Sequence, residues 1–94
     1  MPSTFEAVRA EALFVSYLQS SDSPAAQQVR DAVATTLRRL GIKGCAAEVA
    51  GEFGDHPESA VARMAWALAM VRATYPVVDI VLRTRPQRAL QLAS

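Results

Sequence analysis

The residues that interrupt regular backbone gather at a few places in this chain, and the stretches between them repeat at helical spacing. The main interruptions are Ser20-Ser21-Asp22-Ser23-Pro24, Gly41, Gly54-Asp55-His56-Pro57 and Pro76. Proline lacks an amide hydrogen and fixes φ, and glycine alone turns freely to positive φ, so such residues set where helices start and stop. Between them, apolar residues recur three and four apart, the spacing of a helix face packed on a core. Eighteen alanines against four glycines add to this, because alanine loses almost no side-chain entropy in a helix. The chain is expected to be all-α: a single domain over 1–94, a small bundle of four to five helices, with a frayed basic segment at 83–94.

The expected elements follow from the spacing. Ser3-Thr4-Phe5-Glu6 reads as a capping box, and Phe5, Val8, Ala12, Val15 and Leu18 or Gln19 follow one face, widened by Leu13, Phe14 and Tyr17, giving a helix over 4–20. Pro24 at a first helical position opens a helix over 24–40, with Ala26, Val29, Val33, Thr36 or Leu37, and Leu40 inward and Gly41 as a left-handed cap. A short helix over 45–53 turns Ala46, Val49, Ala50 and Phe53 inward and ends near Gly54. Pro57 opens a long helix over 57–75, whose stripe is Val61, Met64, Leu68, Val71 and Tyr75. Trp66 and Met70 fall off that stripe, so this helix is either central to the domain or shared with a partner. After Pro76, residues 77–82 fit helix or strand. Helix is favoured, extending to 77–92, because a lone strand would need a partner and nothing else reads as one.

Composition and charge narrow the function. Half the residues are apolar and the formal charge is +1, so the chain folds and carries no global field that attracts nucleic acid or anionic membrane. Residues 1–82 hold seven basic and nine acidic side chains, whereas Arg83, Arg85 and Arg88 make the last twelve residues basic. The longest apolar region, 60–82, contains Arg63, Arg72, Pro76 and Asp79 and is not expected to span a membrane. Cys45 is the sole cysteine, and Met1 to Arg9 lack the basic and apolar regions of a secretory leader; a cytoplasmic location is expected. Nine arginines against one lysine suit a high-GC bacterial genome.

No motif with a defined chemistry is present. Cys45, Glu48, Glu52 and His56 are the one cluster that suggests a metal, but one cysteine and one histidine fall short of a structural site, and Gly54 and Pro57 interrupt the face they would share. For nucleophilic catalysis Cys45 and His56 would have to converge, and a single cysteine is far more often a small core residue. No enzyme activity, cofactor or metal is therefore expected.

Two binding functions remain. The first is a protein–protein interaction module, homodimeric or capturing another protein, in which Trp66 and Met70 contact the partner; aromatic and thioether side chains are enriched at such contacts. The alternative is a small DNA-binding transcriptional regulator with a helix-turn-helix-like corner over 46–73. There Ala50, Gly54, Ala60 and Val61 would lock two helices and His56, Ser59 and Arg63, with Arg83, Arg85 and Arg88, would reach nucleic acid. Glu48, Glu52 and Asp55 on the first helix of that corner would meet phosphates with the wrong sign.

Overall fold

The structure, a computed structural model, describes residues 4–75. Ser3, the segment 77–92 and the arginines at 83, 85 and 88 lie outside the described residues. The fold is all-α, with three α-helices and no strand among the described residues: α1 (Thr4–Val15), α2 (Ala26–Asp55) and α3 (Pro57–Thr74), plus one 3₁₀ turn at Ser20–Asp22. The expected count of four to five helices is not met, because 24–40 and 45–53 join into α2.

The join is at Gly41, which has φ 73° and ψ 172° inside α2. The positive φ matches the expectation from sequence, but ψ does not: the residue is extended rather than left-handed helical, and helix resumes directly after it. No separate loop forms. α2 is therefore two helical halves meeting at one residue. The first half buries Val29, Ala32, Val33 and Thr36, close to the expected stripe. The second buries Cys45 and Val49 with Phe53 half-covered, while Ala46 and Ala50 are exposed, so its inward face is rotated from the expected one.

α1 stops at Val15, short of the expected Ser20. Ser16 explains the stop: its Oγ donates to the Leu13 carbonyl at 2.6 Å and accepts the Leu18 amide at 3.3 Å, substituting side-chain bonds for the next helical turn. Leu18 still enters the core from this irregular segment. The polar stretch that follows folds as a 3₁₀ turn, with the Gln19 amide donating to Asp22 and Ser23 in the left-handed region. α2 starts at Ala26, two residues after Pro24, where the Gln28 side chain accepts the Ala25 amide at 2.8 Å.

The centre of the fold is α1. Ala12, Leu13 and Phe14 are consecutive and all buried, and successive helical residues point about 100° apart, so α1 is covered on most of its circumference. Among the described residues α3 is covered on one side only. Its buried residues are Ala60, Ala67, Val71 and Thr74, and the expected inward residue Val61 is 61% exposed. The rest of the expected stripe does turn inward, with Val71 buried and Met64, Leu68 and Tyr75 half-covered against the core, and the alanines Ala60 and Ala67 share that side. Phe14 and Phe53 stack with ring centroids 6.0 Å apart, closing α1 against the end of α2. Phe5 and Tyr17, expected inward, are exposed.

Candidate functional site

α1 and α3 run antiparallel, and a polar contact holds each end of the pair. At one end Arg72 of α3 donates from Nε to Glu6 Oε1 at 2.7 Å, and the Arg9 guanidinium lies 4.0 Å from the centre of the Tyr75 ring. At the other end is Arg63. Its Nε donates to the Phe14 carbonyl at 2.7 Å, and an Nη donates to the carbonyls of Leu18 at 2.8 Å, Ser16 at 3.1 Å and, more weakly, Leu13 at 3.5 Å. The last carbonyls of a helix have no partner inside it and carry partial negative charge. Arg63 supplies both hydrogen bonds and a positive charge to that end of α1. Its guanidinium also lies 4.9 Å from the Trp66 ring centre and 5.8 Å from that of Phe14. Burial lowers its pKa, and the Glu52 carboxylate acts in the opposite direction.

A cleft of about 310 Å³ opens beside this clamp, between the end of α1, the second half of α2 and the start of α3. Ser16, Gln19, Glu48, Glu52 and Arg63 give it a polar wall and Phe14 and Val15 an apolar one. Glu48 and Glu52 lie one helical turn apart and are exposed. Cys45, one turn before Glu48, is sealed in the core at 1% exposure, and burial first, then the Glu11 carboxylate, push its thiol pKa up. His56 is exposed at the α2–α3 junction. Among the described residues no group of three or more His, Cys, Asp or Glu is placed to hold a metal ion.

The junction differs from the expected corner. His56 alone joins the two helices: its amide donates to Glu52 and its carbonyl accepts the Ala60 amide at 2.9 Å and the Ser59 hydroxyl at 3.2 Å. Gly54, expected to turn the chain, lies within α2 without positive φ. Ser59 thus serves its own helix start, and Arg63 faces α1 rather than solvent.

Trp66 and Met70 are half-buried and pack on the core. The outward side of α3 is made instead by Glu58, Val61, Ala62, Ala65, Ala69, Arg72 and Ala73, all exposed. Periodicity read from large side chains missed this face because alanine fits both an interior and a surface. No helix among the described residues is long and apolar enough to cross a membrane. No family model matches the chain, and neither a curated protein nor a solved structure does.

Proposed function

We propose that this chain acts by binding another protein chain rather than by catalysis, through the outward side of α3. The observation that carries this reading is the apolar run Val61, Ala62, Ala65, Ala69 and Ala73, exposed over more than three turns and bordered by the half-covered Trp66 and Met70. Contiguous exposed apolar patches larger than roughly a few hundred Å² are rare on chains that work alone, and such patches mark contact sites. Trp66 and Met70 contribute as the border of that surface and as its support from below, since both also pack on the core.

The DNA-binding alternative draws less support. A helix-turn-helix corner uses a turn of three or four residues, whereas a single residue joins α2 to α3. Arg63, its main cation on α3, spends its donors on the end of α1 and the segment that follows it. Retention of duplex DNA by the full chain at low salt, lost when the arginines at 83, 85 and 88 are replaced by alanine, would restore it.

A photo-crosslinking side chain placed at position 62 or 69 tests the interaction reading, with Gln27, exposed on α2, as control. Protein adducts are expected from the α3 positions and not from the control, both with the purified chain and in extract of its native cells. Absence of adducts from α3 in both settings defeats the reading.

A further inference from the structure

We infer that the partner of α3 is a second copy of this chain, packed antiparallel about a twofold axis at Ala65; this inference rests on the interaction reading above. The outward side of α3 has an arrangement that fits itself. Glu58, Val61, Ala65, Ala69 and Arg72 are all exposed and spaced three, four, four and three residues apart, symmetric about Ala65. At about 100° per residue all five point within about 40° of Ala65, forming one narrow stripe along the helix. The stripe has an acid at one end, a base at the other, and small or β-branched apolar residues between.

Turning a second α3 end for end about Ala65 sets Glu58 opposite the partner's Arg72, Val61 opposite the partner's Ala69, and Ala65 opposite its own copy. An isologous dimer requires a self-complementary surface of this kind. A parallel pairing would instead set Glu58 on Glu58 and Arg72 on Arg72, so charge selects the antiparallel form. Among the described residues Glu58 makes no ion pair, and Arg72, although its Nε is held by Glu6, keeps a side chain that is 57% exposed. Alanine at the axis allows close backbone approach, leaving Val61 as the largest apolar side chain within the stripe. The 18 residues of α3 extend about 27 Å, which gives a contact at the small end of specific interfaces and an expected dissociation constant in the micromolar range.

The test is mass in solution by light scattering across a concentration series, on the full chain and charge-reversed variants. The wild type is expected to reach the dimer mass. Glu58→Arg, at an exposed position, and Arg72→Glu each replace two attractions by two repulsions and are expected to weaken the dimer about tenfold. Mixing the two variants should restore affinity, because in the heterodimer the two basic side chains of one chain, at positions 58 and 72, face the two acidic side chains of the other, at positions 72 and 58. Since Arg72→Glu also removes the contact to Glu6, helicity by circular dichroism is recorded for each variant, and Glu58→Arg stands alone as a test if Arg72→Glu unfolds. A dimer indifferent to Glu58→Arg overturns the inference. A monomeric wild type that still yields α3 adducts in extract overturns it too, while leaving the interaction reading intact; a monomer without adducts overturns both.

Discussion

Arg63 carries more of the fold's polar organisation than any other described side chain, and its removal has a calculable cost. Alanine there would leave the Phe14, Ser16 and Leu18 carbonyls without their donor at a partly buried helix end, a loss expected to lower stability by about 3 kcal/mol. Arg63→Lys keeps the charge but not the planar fork that reaches several carbonyls at once, so it should recover only part of that loss; urea unfolding midpoints compare the three proteins. Acidity enters through two other residues. Burial raises the pKa of both the Cys45 thiol and the Tyr75 phenol, with Glu11 adding to the first and Arg9 and Arg30 opposing the second. Each favours its neutral form more in the folded chain than in the unfolded one. Their contribution to stability is therefore full below the ordinary thiol range, about pH 8.5, and is lost as pH rises through the raised values. Thermal melts should be flat with respect to these groups at neutral pH and fall in the alkaline range, and Cys45→Ala should remove the earlier part of that fall.

Among the helices, the glycines of α2 behave in opposite ways. Gly41 occupies a φ and ψ region that side chains essentially never adopt, and a Cβ there would meet no neighbouring atom, so the constraint is purely conformational. Gly41→Ala is expected to destabilise by about 1–3 kcal/mol. Gly51 is helical, exposed and equally unobstructed, and Gly51→Ala is expected to stabilise by about 0.5–1 kcal/mol. Thermal midpoints of the two variants should move in opposite directions. The importance of Gly41 was legible in the sequence, as were the helical class, the start of α3 at Pro57 and the inward stripe of 29, 33 and 36, because punctuation and large side chains carry those signals. The early stop of α1 was not. It depends on the Ser16 hydroxyl and on Arg63, a residue 45 to 50 positions away from the carbonyls it binds, and no local pattern contains that. The inward side of α3 was legible in part: Val71 is buried and Met64, Leu68 and Tyr75 pack on the core, but Val61 faces out, and Ala60 and Ala67 are indistinguishable by type from the exposed Ala62 and Ala65, so only docking against α1 separates them. Trp66 and Met70 fall off the large-residue stripe, yet the packing of neighbouring helices half-covers both.

For the whole molecule, the division of α3 into a side held by α1 and α2 and a side facing out determines where mutations act. Trp66→Ala would change both fold and contact surface, since the ring packs on the core and beneath Arg63, so it cannot separate the two effects. Ala65→Glu can. Position 65 is exposed and outward, and glutamate suits helix, so the monomer should keep its melting temperature while self-association is lost in sedimentation at matched concentration. The clamp at the end of α1 has a further bearing on how the chain is made. During synthesis α1 leaves the ribosome first, but the residue that completes its last turn follows roughly one ribosomal tunnel's length of chain later. Until α3 emerges and docks, the growing polypeptide has two helical pieces and no finished centre. Nascent chains arrested with α2 outside the tunnel and α3 still inside it should therefore be cut readily by protease, and resistance should arrive in a single step once α3 has cleared the tunnel.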